Sequence, residues 1–137
     1  MQAGKNIANR RVVFSTVWIF YIFNILYADV LSLIGGIDPS KVENPELVNI
    51  LISNVMLLYA AIFLELAMAM IVFSRFLTYR INRWANIIIA IIHILGLIAS
   101  LFVGTPTIYY IFFVSVEIPA LLFIVWYAWT WTEPQSV

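Results

Sequence analysis

A chain of 137 residues that is 64% hydrophobic and only 10% charged is too apolar for a soluble domain, where apolar residues are roughly half. Seven basic and seven acidic residues give a formal net charge of zero, and no basic block points to nucleic acid. Zero cysteines exclude a dithiol relay, a thiolate metal site and any disulfide, and a single histidine excludes haem held by two histidines of one chain.

A hydrocarbon core ~30 Å thick takes about 20 apolar residues per helical crossing. Four crossings consume most of this chain and leave no room for a soluble domain. The prediction is therefore an all-α integral membrane protein, an antiparallel four-helix transmembrane bundle forming one domain over residues 1–137.

In chain order, a short polar head with Lys5, Arg10 and Arg11 precedes a first span over residues 12–34. That run is too long for a cleavable signal peptide, and Asn24 and Asp29 interrupt it. Gly35 and Gly36 stop the helix, and residues 37–45 (I-D-P-S-K-V-E-N-P) read as a turn-rich loop. The second run, over residues 47–74, is longer than a crossing needs, so its first turn or two should tilt or lie in the interface. Arg75, Arg80 and Arg83 fall in the link to a third span, residues 84–103. They read as topology signals, each able to attract anionic headgroups by ~1 kcal/mol. Gly104-Thr105-Pro106-Thr107 allows only an antiparallel turn. The fourth span, residues 108–131, ends in W-Y-A-W-T-W, an aromatic belt of the kind found at headgroup level. Trp84, Trp126, Trp129 and Trp131 read as interface anchors, and residues 132–137 as a stub.

The head and second loop hold six of the seven Lys and Arg residues, the first loop holds only Lys41, and the third none. The positive-inside rule then places both termini in the cytoplasm, with the bundle in the plasma membrane. The two halves are also faintly alike. A-D-V-L-S-L-I-G around Asp29 matches I-H-I-L-G-L-I-A around His93, and L-E-L-A-M-A-M around Glu65 matches V-E-I-P-A-L-L around Glu117. A duplication of this kind would be a parallel repeat, as in some transporters.

Ionisable groups at membrane depth are expensive, roughly 2.5–3.5 kcal/mol for a charge at mid-helix, and usually face the bundle interior. Here they are Asp29, Glu65, His93 and Glu117. At ~100° per residue each span has one polar or small-residue stripe. Trp18, Tyr21, Asn24, Ala28, Asp29 and Ser32 share an arc of the first, and Asn54, Ala61, Glu65 and Met68 align on the second. Asn86, His93 and Ser100 repeat on the third, and Tyr110, Glu117 and Ala128 on the fourth. The predicted result is a polar interior seam of Asn24, Asp29, Glu65, His93 and Glu117, in which His93 or Glu65 is the natural partner of Glu117. Three uses of that seam stand open: interhelical hydrogen-bond glue, a proton or ion relay, and a pocket for a lipid, quinone or other lipophilic molecule. No cofactor is indicated, and no metal site either, because the Glu-x-x-His spacing common in bundle metal sites is missing.

Pro119 cannot donate to the carbonyl of Ser115, so the fourth helix should kink or open beside Glu117. The alternatives are a plain packing kink and a hinge or ligand notch. Enzyme chemistry has little support: there is no Gly-x-Ser-x-Gly elbow, no His-Glu-x-x-His and no Gly-rich phosphate loop.

Three segments carry a family resemblance: N-R-W-A-N-I-I (Asn82 to Ile88), E-I-P-A-L-L-F-I-V-W-Y-A-W-T-W (Glu117 to Trp131) and Y-A-D-V-L-S-L (Tyr27 to Leu33). Together they resemble a family of small bacterial and archaeal membrane proteins, domain of unknown function 6326, over nearly the whole chain and in the same order. More loosely, the layout looks like DoxX-type four-span proteins, without a motif diagnostic of that group. The resemblance implies the four-span fold and a bacterial-type plasma membrane, and lends no activity. The leading functional reading is a non-enzymatic membrane protein that binds or moves a small solute, a proton or a lipophilic ligand. The second is an accessory or scaffold subunit packing against a partner, and a membrane enzyme comes third. The partners expected are membrane lipids and either a second copy or another membrane protein.

Overall fold

A computed structural model describes residues 2–35, 46, 49–50, 53–102 and 106–132 of the chain. Among these residues it forms four helices: α1 (Gln2–Gly35), α2 (Asn54–Phe76), α3 (Tyr79–Ser100) and α4 (Ile108–Trp129). Each contains a segment long and apolar enough to cross a membrane, α1 over Asn9–Gly35 and the other three over their full lengths. The polar head is helical, so α1 has 34 residues and, at 1.5 Å per residue, extends ~50 Å, well beyond the hydrocarbon core. The loop over residues 37–45 with Lys41, most of the interfacial turn before Ser53, the Gly104-Thr105 part of the hairpin and residues 133–137 lie outside the described residues.

Local chemistry sets the helix ends. Ser53 has extended backbone, and its Oγ accepts from the Met56 N–H at 3.3 Å, an N-cap for α2. Leu77 and Thr78 are both extended, so a two-residue link turns α2 directly back into α3. The last carbonyls of a helix have no partner in the helix and carry its negative dipole end. Arginines supply the missing donors. Arg11 donates to the carbonyls of Leu77 (2.8 Å) and Arg75 (3.4 Å) at the end of α2. Arg10 and Arg83 donate to those of Tyr127 (2.9 Å) and Trp129 (3.0 Å) at the end of α4. Residues read from sequence as topology signals thus also hold helix ends together.

The helices close into a ring in which α1 packs on α2 and α4, α4 packs on α3, and α2 and α3 meet most lightly. At the arginine end the core is aromatic. Phe14 lies edge-on to Tyr127 and against Trp131, and Tyr79 donates its hydroxyl to the Trp131 carbonyl at 2.6 Å. Trp131 is therefore buried in the bundle and is not an interface anchor, whereas Trp84, Trp126 and Trp129 are exposed as expected.

Above this aromatic plug sits a buried polar knot. Trp18 Nε1 donates to Asn86 Oδ1 at 2.8 Å. Asn86 Nδ2 donates to Asn82 Oδ1 (2.7 Å) and to the Asn82 carbonyl (2.9 Å), and Asn82 Nδ2 reaches the Ser74 carbonyl at 2.6 Å. Ser15 Oγ donates to the Ile71 carbonyl and accepts from Arg75 Nε. The knot links α1, α2 and α3 through groups that, the Arg75 guanidinium apart, are neutral and find each other, the arrangement in which buried polarity specifies packing without a large cost. At the opposite end, Tyr109 donates to Ser32 Oγ at 3.1 Å, and Tyr110 is paired with Ser100, fastening the start of α4 to α1 and α3.

Candidate functional site

One layer of titratable side chains crosses the bundle at mid-depth. Six residues along each helix from the Ser15–Ile71 hydrogen bond lie Tyr21 on α1 and Glu65 on α2. Phe63, two residues from Glu65, receives His93 of α3, whose Nε2 is 2.9 Å from the Phe63 carbonyl oxygen. Tyr21 and Glu117 of α4 lie within electrostatic reach of each other. Each helix thus brings one titratable side chain to this layer.

The layer divides into inside and outside. His93 is fully enclosed and Glu117 is 2% exposed, while Glu65 is exposed. Asp29 is exposed as well, although within electrostatic reach of Glu117. Half-buried Asn24 spends its amide on its own helix, donating to the Phe20 carbonyl at 2.8 Å. The predicted seam of five residues is therefore corrected: only His93 and Glu117 are interior. The stripe Asn54, Ala61, Glu65 and Met68 on α2, expected to face inward, is exposed throughout. The matched halves differ in the same way. Asp29 and Glu65 of the first hairpin point out, whereas their counterparts His93 and Glu117 point in.

His93 is held in an aromatic box. The Phe63 ring lies 4.0 Å from the imidazole, tilted by 32°, and Trp18 and Tyr21 meet it edge-on at 5.6 and 5.5 Å. Its Nδ1 is 2.8 Å from the Ile89 carbonyl. Carbonyl oxygens only accept, while a neutral imidazole has a single N–H. The two contacts are both hydrogen bonds only when each ring nitrogen carries a proton.

Gly96 makes room for this box. A Cβ there would stand 2.6 and 2.7 Å from two carbons of the Phe63 ring, so α3 admits that ring because residue 96 has no side chain. Gly96→Ala gains up to ~1 kcal/mol of helix preference, but the overpacking costs ~1–3 kcal/mol. The expected net result is a loss of about 1 kcal/mol, with Phe63 displaced from His93. Thermal unfolding in detergent, read by the near-ultraviolet signal of Trp18 beside His93, checks it. An unchanged near-ultraviolet signal and melting temperature would show that the box tolerates the methyl group.

Glu117 is different in kind from the knot at the arginine end. Its enclosed Oε1 has no hydrogen-bond partner, and neither does the buried Tyr21 hydroxyl within its electrostatic reach. No hydrogen bond or ion pair joins Glu117 to His93 or Glu65 among the described residues, so the pairs expected from sequence do not form. Pro119 is exposed, as is Ser115, whose carbonyl Pro119 leaves without its usual donor. That opening faces away from Glu117, and α4 continues as helix through Pro119.

A cleft of about 470 Å³ lies at the arginine end, lined by Tyr79, Arg80, Arg83, Trp84 and Trp129 among others. Arg83 sits 5.8 Å from the Trp129 ring centroid, with its Nε enclosed and unbonded. No group of three or more metal-ligating side chains occurs among the described residues.

Sequence reasoning missed Asn82, Ser74 and Ser15. The signal for the first was present: Asn82 and Asn86 lie four residues apart on one face of an apolar helix. Nothing in the sequence marks Gly96 as the floor of the Phe63 site.

Four apolar helices, each able to cross a bilayer, closed around an enclosed carboxylate and imidazole, define a small multi-pass membrane protein. The chain belongs to the Family of unknown function (DUF6326), whose match extends over residues 1–136. No curated protein and no solved structure matches it. The looser likeness to DoxX-type proteins therefore gains no support.

Proposed function

We propose that this protein takes up and releases a proton at mid-membrane, with Glu117 as the titrating group and Tyr21, whose ring meets His93, within its electrostatic reach. The observation that carries this reading is the enclosed Glu117 oxygen with no partner, within electrostatic reach of the Tyr21 hydroxyl, itself unpartnered. As a carboxylate, Glu117 would accept from that hydroxyl, and as an acid donate to it, once a side-chain movement brings the two oxygens within hydrogen-bond distance. The same two groups thus accommodate both protonation states. A hydrogen-bonding anchor needs one state and a fixed partner, as Asn86 has. Asp29, within electrostatic reach of Glu117 and exposed on α1, would exchange the proton toward the end opposite the arginines.

The arginine-rich end faces the cytoplasm of a plasma membrane in this reading, because basic residues near helix ends are retained on that side. The cleft around Arg83 then sits at headgroup level, where each nearby basic side chain attracts anionic lipid by ~1 kcal/mol.

The test uses the full chain reconstituted in vesicles containing a pH-sensitive dye. Wild type is expected to dissipate an imposed pH gradient faster than empty vesicles, and Glu117→Gln to lose that excess. Infrared difference spectra across the same pH range should show a carboxylic-acid carbonyl band that Glu117→Gln removes. Wild-type vesicles no leakier than empty ones, together with a band unchanged by the substitution, would overturn the reading.

A further inference from the structure

A second carboxylate at membrane depth remains outside that site. Glu65 is the twelfth of the 23 residues of α2 and so sits at mid-span. It is exposed, without a hydrogen bond or ion pair among the described residues. Side chains of this kind rarely face lipid, because a charge at the centre of a lone crossing is unfavourable. Leu58, Ala61, Glu65, Met68 and Val72 recur at alternating intervals of three and four and are all exposed. That is the a/d spacing of a left-handed helix pair, turned away from its own bundle. The small Ala61, one turn from Glu65, lets a second helix approach closely.

We infer that this face of α2 is the interface of a symmetric homodimer, with the two Glu65 side chains meeting across the twofold axis. The occupant is a second copy because of depth. A twofold axis along the membrane normal places identical residues at identical levels, so each Glu65 finds its partner at its own height. A different protein would have to bring an independent polar group to the same level. The two side chains are complementary when they hold one proton between them, one acid donating its O–H to an oxygen of the other. The other titratable groups of the layer, Tyr21, His93 and Glu117, are buried inside the bundle and leave Glu65 to the partner.

The chain has no cysteine, so single-cysteine variants report one position each. With a copper oxidant in native membranes, Ala61→Cys and Met68→Cys are expected to give disulfide-linked dimers. Ile91→Cys on α3 and Leu122→Cys on α4, which are also exposed, are expected to remain monomeric. Glu65→Leu should weaken self-association of the purified protein about 3- to 30-fold, the equivalent of one interhelical hydrogen bond, whereas Glu65→Gln, which still donates and accepts, should retain it. Cross-linking at residues 61 and 68 no stronger than at 91 and 122 would overturn the inference. So would unchanged association of Glu65→Leu, or a cross-linked product containing a different polypeptide. Neither arm touches Glu117, so its outcome is separate from that of the proton-uptake test.

Discussion

Replacing Asn86 by leucine is expected to lower stability by about 2–4 kcal/mol. Asn86 is fully buried and is the one side chain that serves Trp18, Asn82 and Ser74 together. Leucine matches its bulk and none of its hydrogen bonds, so the indole N–H of Trp18 and the amide oxygen of Asn82 are left enclosed and unpaired, at ~1–3 kcal/mol each when no relaxation intervenes. Ser74 lies within 3.4 Å of both polar ends of Asn86 and can turn to recover part of the loss. Trp18→Phe removes one donor, leaves Asn86 with Ser74 and Asn82, and empties part of the space filled by the buried indole, so about 2 kcal/mol is expected there. Unfolding of the detergent-solubilised protein, followed by circular dichroism, compares the two. A loss below about 0.5 kcal/mol for Asn86→Leu, the range of an ordinary surface substitution, would show that the knot does not hold the arginine end together.

Glu117→Met is expected to act in the opposite direction, raising stability by about 1–3 kcal/mol while abolishing proton uptake. The methionine side chain is unbranched and adaptable, so it follows the path of the glutamate it replaces. What it removes is a polar group enclosed without a partner, and burying such a group is unfavourable by roughly this amount. Tyr21, whose hydroxyl has no partner in the wild type either, loses nothing that it already had. Interhelical glue makes the contrary prediction, a loss of stability in Glu117→Met like that in Asn86→Leu. The sign of the change in melting temperature therefore separates the two uses of buried polarity in this bundle. A destabilised Glu117→Met would assign Glu117 to structure and leave the proton reading without its support.

Much of the architecture was legible from residues alone. The number and order of the crossings follow from hydrophobic length, because each crossing must bury its backbone polar groups in its own helix and cover a fixed thickness with apolar side chains. The helix bounds differ by a few residues where caps and arginine contacts set them. The α2–α3 link is two extended residues, so α3 begins at Tyr79 and not at Trp84. Of the site, His93 and Glu117 stood out as ionisable groups within long apolar runs, and their burial agrees with the cost of exposing them to lipid.

Which way each stripe faces was decided only by the tertiary structure. Helical periodicity establishes that Ala61, Glu65 and Met68 share a face, as Asn86 and His93 do. It carries no information on whether that face meets a neighbouring helix or the outside of the bundle. The two hairpins read alike in sequence, yet Asp29 and Glu65 lie outside while His93 and Glu117 lie inside. The difference arises from packing. Phe63 enters the bundle over Gly96 and stacks on His93, and Phe63 and Glu65, two residues apart at ~100° each, stand on nearly opposite sides of α2. Committing Phe63 to the interior turns Glu65 outward. Composition thus determined that the chain crosses a membrane four times, whereas a contact between residues 63 and 96, on different helices, decided which carboxylate the bundle encloses.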